Sequence, residues 1–330
     1  MEYWLPIIYM FIMGLALLIY VMLDGYDLGV GMLLPAASDE EKDTMVASIG
    51  PFWDANETWI VLGIGVLLIA FPKAYGLVLT ALYIPVTIMI IGLILRGVAF
   101  DMRVKAGDHH KHLWNRAFFA GSLTASASQG WMLGAYVTGL DSSPLSLLFA
   151  ALIALTLPAL YIMLGAAWLL IKTEGALFNK ALHWARLALL PMGLGLLLVS
   201  IATPIVSSVI AAKWFQLPNI IGLLPIPFSC LLIYFGMSWL LSKPAWLRVG
   251  NSWVLFTGLA AICTLATLGL AYSIFPDIII GEMNIWEASA SVNSLLFTLV
   301  GVVITLPLIL WYTFFVYRVF RGKATTLSYE

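Results

Sequence analysis

The sequence predicts an all-α, polytopic integral membrane protein of about nine transmembrane helices. Three observations carry that prediction. Of its 330 residues, 62% are hydrophobic and only 10% are charged. Mean hydropathy is +1.01. The apolar stretches recur at lengths near the ~20 residues that a helix needs to cross a bilayer. The formal net charge of −1, with no basic or acidic tail, excludes a nucleic-acid partner. The lipid bilayer is the expected surrounding.

The first span covers about residues 5 to 30 and outruns a signal peptide, so no cleavable leader is expected. An acidic loop, Ser38 to Asp43, follows and reads as solvated. The second span starts near Trp53 and closes at Phe71-Pro72-Lys73, where Pro72 predicts a tight hairpin. The third runs from about Ala74 to Phe100. A basic loop follows, with Arg103, Lys105, Lys111 and Arg116 among His109, His110 and His112. The remaining spans fall at about 117–139, 145–170, 188–212, 218–241, 251–275 and 293–317. No long polar linker separates them. Residues 1–330 therefore read as a single transmembrane domain, two four-helix bundles plus one peripheral helix. Cys230 and Cys263 lie in apolar segments without CxxC spacing and read as packed thiols.

Orientation follows from lysine and arginine. With nine spans, the loops after odd-numbered spans and the C-terminus hold nearly all of them, whereas the opposite side holds Lys73 and Lys213. Cationic loops stay in the cytoplasm. The N-terminus is thus expected in the periplasm and the C-terminus in the cytoplasm, with Asp24 near the cytoplasmic surface.

The candidate chemistry lies in carboxylates at membrane depth. A charge at the bilayer centre costs roughly 3 kcal/mol on insertion scales and is seldom accepted without a use. Asp24 and Asp27 are three residues apart, so a continuing helix sets both on one face. Gly25 and Gly29, four apart, let a second helix approach closely. Asp54, Asn56 and Glu57 form a second group at the start of the second span. Asp54 reads either as a helix cap or as a member of a proton relay, and local spacing does not choose between them.

Arg96 lies inside the third span, with Asp101 and Arg103 beyond it. It either snorkels to the surface or pairs with a buried acid. Ser122, Thr124, Ser126, Ser128 and Gln129 read as helix-to-helix glue rather than a water wire. Asp277, Glu282, Asn284 and Glu287 are expected to cap the ninth span. No histidine falls mid-span, so this chain is not expected to ligate haem or metal.

Three stretches carry a family resemblance. Asp-Gly-Tyr-Asp-Leu-Gly-Val-Gly-Met at 24–32, Trp-Asp-Ala-Asn-Glu at 53–57 and Arg-Gly-Val-Ala-Phe-Asp-Met-Arg at 96–103 resemble subunit II of cytochrome bd-type quinol oxidases. The compact length is similar to the cyanide-insensitive branch. Ala55 stands where the pattern more often has Gly, and Glu287 follows Trp286 where some relatives have Asp.

The resemblance implies a haem-bearing subunit I as partner, holding two b-type haems, one d-type haem and the quinol oxidation site. It implies that the complex oxidises quinol and reduces oxygen to water. Asp24 and Asp54 would line a cytoplasmic proton route, with Asp27, Asn56, Glu57, Arg96, Asp101 and Arg103 in support. It also admits a small single-helix subunit and a bound ubiquinone, and places the complex in the bacterial inner membrane. Two other readings remain open on the residues alone. One is a proton-coupled transporter; the other is a purely structural or assembly subunit.

Overall fold

The structure, a computed structural model, describes residues 2–324, without the side chains of 108 and 109. The side chain of His109, counted above among the loop histidines, lies outside that description. Helix α1 (Trp4–Leu33) is continuous because its one proline, Pro6, falls in the first turn, where a missing N–H is tolerated. Next come α2 (Asp39–Ile49), α3 (Trp53–Ala70), α4 (Pro72–Ala81), α5 (Tyr83–Lys105), α6 (Asp108–Val137) and α7 (Pro144–Lys172). The chain continues through α8 (Gly175–Val206), α9 (Ser208–Phe215), α10 (Asn219–Leu223), α11 (Pro225–Leu241), α12 (Pro244–Trp246) and α13 (Trp253–Ile274). A short antiparallel hairpin, β1 (Asp277–Ile279) and β2 (Met283–Asn284), then leads to α14 (Ile285–Ala288) and α15 (Val292–Val319).

Among the described residues, eight helices are long and apolar enough to cross a membrane. The expected nine differ by α6. That helix is 30 residues long, but its middle carries Ser122, Ser126, Ser128 and Gln129, all buried. It packs between α5 and α7, with α1 on a third side, so protein rather than lipid covers its polar face.

Other boundaries move for local reasons. The acidic loop is in fact the start of α2. Ser38 and Glu41 cap each other's backbone N–H groups, an S-x-x-E signature present in the sequence. The third span breaks at Leu82, because Pro85 offers no N–H to the carbonyl of Ala81 four residues earlier. The basic loop shrinks to residues 106–107, with its cations on the ends of α5 and α6. The sixth span begins at Gly175 rather than 188. Asn284 and Glu287 cap the short α14, and Ser291 caps α15 instead.

Helices α1, α3, α5 and α6 form one group and α7, α8, α11 and α13 another, joined where α6 and α1 pack on α7. α15 lies outside, against α3 and α1. The seam between α1 and α7 is close because Gly29 faces Gly165. A Cβ on Gly29 would overlap the carbonyl of Tyr161, and one on Gly165 would reach the backbone of Gly29 and Val30. The α2 helix is tied down by Trp168, whose indole donates to the Ser48 carbonyl at 3.1 Å, and by Lys180, which donates to Glu41 at 2.7 Å.

Gly29→Ala should therefore force α1 and α7 apart, at a cost of about 1–3 kcal/mol or more. Gly14→Ala, where nothing lies within 4 Å, should be neutral or slightly stabilising. Thermal unfolding of the two variants in the same detergent checks this. The Lys180 ammonium holds the Glu41 carboxyl below its ordinary value of 4.5. A depressed carboxyl contributes stability above its unfolded pKa and loses it as pH falls through the folded one. Protection of α2 amides from hydrogen exchange, relative to their intrinsic rates at each pH, should thus fall on acidification below about 4.5, and Glu41→Gln should flatten that dependence.

Candidate functional site

The acids predicted at membrane depth converge on one buried cluster. Asp24 and Asp27 project from the same face of α1, as their spacing predicts, and both are fully buried. Arg96 of α5 reaches between helices and is 1% exposed. One guanidinium nitrogen donates to Asp24 Oδ1 at 2.5 Å and the other to Glu57 Oε2 at 2.9 Å. Of the two alternatives for Arg96, pairing with a buried acid is the one realised. Its guanidinium also lies 5.9 Å from the ring centre of Trp53. The three helices α1, α3 and α5 are thus held by one cation.

Neighbouring residues on α3 divide their work. Glu57 turns to Arg96, while Asn56 turns to α1 and donates to Asp27 Oδ2 and to the Tyr26 hydroxyl, each at 2.8 Å. Tyr317 of α15 donates to Asn56 Oδ1 at 3.1 Å, and its oxygen lies 2.6 Å from the Tyr26 oxygen. On the other side, Tyr161 of α7 donates to Gln129 Oε1, and Gln129 Nε2 donates to the Tyr20 hydroxyl, each at 2.7 Å. Tyr20 stands one turn before Asp24 and interacts with its carboxylate. Gln129 is the glue expected of its segment. The tyrosines are the partners the sequence reading missed; only the one-turn spacing of Tyr20 from Asp24 signals any of them.

Several buried polar atoms in this cluster have no protein partner: Asp24 Oδ2, Asp27 Oδ1, Arg96 Nε, and nearby Trp59 Nε1 and Ser122 Oγ. Buried carboxylate oxygens without donors are costly unless they take a proton or a water. Two carboxylates, Asp24 and Glu57, bond the single guanidinium of Arg96, and Asp27 lies within its field. The arrangement can therefore hold a proton and pass it among acids one helical turn apart.

The other candidates lie elsewhere. Asp54 is exposed in the first turn of α3, where Phe52 and not Asp54 holds the cap position. It faces Glu57 one turn on, and Glu57 in turn feels both Asp54 and Asp24. Asp54 is thus open to solvent, whereas Asp24, expected near the surface, is sealed inside the protein. Asp101 is exposed on α5. Arg103 is buried in a separate ion cluster, bonded to Asp43 of α2 at 2.8 Å and to Asn115 of α6 at 2.6 Å. His110, His112 and His183 are exposed at helix ends. Among the described residues, the central cluster offers carboxylates, amides and phenols, and no imidazole or thiolate.

Removing Arg96 strands two acids, whereas removing the Asp24 charge leaves Arg96 paired with Glu57. Arg96→Ala should therefore cost about 3–5 kcal/mol and sharply lower the yield of folded protein, and Asp24→Asn should cost less. Asp101→Asn should leave the yield unchanged. Yield and thermal unfolding after detergent extraction decide.

Comparison with known proteins agrees with this architecture. Residues 5–320 match the family described as cytochrome bd terminal oxidase subunit II. The chain is 26% identical to cytochrome bd ubiquinol oxidase subunit 2 of Bacillus subtilis (strain 168), over 93% of each chain. It is 25% identical to cytochrome bd-I ubiquinol oxidase subunit 2 of Escherichia coli (strain K12), over 99% of this chain and 97% of the relative. The fold also matches a chain of the bd oxidase from Geobacillus thermodenitrificans, with a TM-score of 0.75 and 19% identity over 96% of this chain and 98% of that one. With its motifs, its helices and nearly its whole length in agreement, this chain belongs to the cytochrome bd terminal oxidase subunit II family.

Proposed function

We propose that this subunit feeds protons from the cytoplasm to an oxygen-reducing haem in subunit I, through Asp54, Glu57 and the Asp24–Asp27 pair. As a subunit II, the chain is one part of a quinol oxidase complex. Reducing oxygen to water consumes protons, and a complex buried in lipid needs groups that carry them inward. The observation that carries the reading is the cluster itself: two carboxylates on one guanidinium and a third, Asp27, buried beside them, with an unpartnered oxygen on Asp24 and another on Asp27. A site built only for structure would balance its charges.

In this reading Asp54 takes a proton at the surface and Glu57, whose side chain keeps 26% exposure, receives it. Arg96 bonds both Glu57 and Asp24, so a proton arriving at one changes the electrostatics of the other. Asp27 is buried as fully as Asp24, with Asn56 fixing one of its oxygens. The haems, two of b type and one of d type, supply electron transfer and oxygen reduction when bound in subunit I. This chain's residues supply orientation and protons. The mouth of the route lies at the end of the molecule that carries Arg103, Lys172 and Lys180. By the distribution of cations that end is cytoplasmic, with the N-terminus in the periplasm of a bacterial inner-membrane protein.

A structural reading has one observation in its favour, the Arg96 tie between α1, α3 and α5. Asp54 separates the two, because it is exposed and makes no ion pair among the described residues. Asp54→Asn should preserve assembly and haem content. Oxygen reduction by the complex should nonetheless fall by at least ~10-fold, about 1.4 kcal/mol on the barrier. Full turnover in an assembled Asp54→Asn complex refutes the relay and leaves the structural reading.

A further inference from the structure

Helix α15 is the least embedded of the long helices. Of its 28 residues only Leu295 and Val316 are buried. Yet it contributes Tyr317 to the ring formed with Tyr26, Asn56 and Asp27. A helix so lightly packed needs a fastening close to that residue, and the structure has one. Lys172, at the last turn of α7, is 4% exposed and has no carboxylate partner among the described residues. Its ammonium donates to the carbonyls of Phe320 and Gly322, the free acceptors beyond the end of α15.

The chain answers in kind. The Ala324 N–H donates to the Lys172 carbonyl at 2.8 Å, and the Lys323 ammonium donates to the Thr173 carbonyl at 3.0 Å. The Lys172 ammonium thus sits at the C-terminal ends of two helices, where both dipoles favour a cation. The rings of Phe52 and Trp168 lie 5.0 and 5.1 Å from it. Phe52 also packs against the Tyr317 ring at 4.6 Å. The same aromatic therefore touches both the clasp and the residue it holds.

We infer that Lys172 is a positioning residue that clasps the C-terminal end of α15 and so holds the Tyr317 hydroxyl on Asn56 and Tyr26, closing the Asp27 site. Only the turnover arm of its test rests on the proton-route reading; the clasp itself does not.

The experiment uses the purified complex with Lys172→Met, Lys172→Arg, Tyr317→Phe and the Lys172→Met/Tyr317→Phe double variant. Hydrogen exchange in residues 317–324 should rise by ~10-fold or more in Lys172→Met and be largely restored by Lys172→Arg. The infrared carboxyl or carboxylate band that Asp27→Asn abolishes should shift alike in Tyr317→Phe, Lys172→Met and the double variant. Oxygen reduction should show the same non-additivity, because two changes acting through one contact do not sum. Unchanged exchange in Lys172→Met overturns the clasp, and additive band shifts overturn the action through Tyr317. If Lys172→Met does not assemble, Lys323→Met, which removes the donation to the Thr173 carbonyl from the same clasp, must raise exchange in residues 317–324 and shift the band in the same direction. Should Asp54→Asn keep full turnover while these shifts appear, the relay falls and the clasp stands.

Discussion

A guanidinium cannot be left alone at membrane depth, and the inner half of this protein is arranged around that constraint. Arg96 brings three donor directions into the interior, where it is itself fully buried. Two of them are met by Asp24 and Glu57, and this fixes how α1, α3 and α5 sit together. Once those acids are in place a third, Asp27, lies on the same face of α1 and needs its own partner. Asn56 is that partner, and its second role is to collect the hydroxyls of Tyr26 and Tyr317. A single buried charge thus propagates into bonds on four helices.

The membrane reverses the usual sense of surface and core. Large apolar side chains such as Leu155, Phe297 and Trp311 are the most exposed, while Gln129, Ser126 and Arg96 are inside. Helix α6 shows the consequence. Its face toward lipid is small, so it can afford a polar middle, and that middle supplies the amide that orients Tyr20 and Tyr161. Helix α15 is the opposite case, apolar almost throughout, and depends on contacts at its two ends. Tyr9 donates to the Leu295 carbonyl at one end, and Lys172 holds the other.

Much of the site was legible, though unevenly. The Asp24–Asp27 spacing and the glycines beside them translate directly into one helix face and one close helix contact, since both depend on the period of a helix alone. Arg96 announced itself by its place inside an apolar run. The complete burial of Asp24 and the exposure of Asp54 were not legible, because burial depends on which helices stand beside a residue and not on its distance from a span's end. The α2 helix could have been read from Ser38 and Glu41, but its six consecutive polar residues look like a loop to any hydropathy argument.

By itself the sequence determined the membrane-spanning class, most of the helices and the residue types that had to find one another. Those follow from local periodicity and from the cost of placing charge in hydrocarbon. The tertiary structure alone decided that Asp24 rather than Asp54 is sealed inside, and that Glu57 is shared between them. It also decided that tyrosines from α1, α7 and α15 complete the cluster, and that Lys172 fastens a helix 148 residues away. Such pairings are set by which faces pack, and long-range packing leaves no mark in the spacing of either partner.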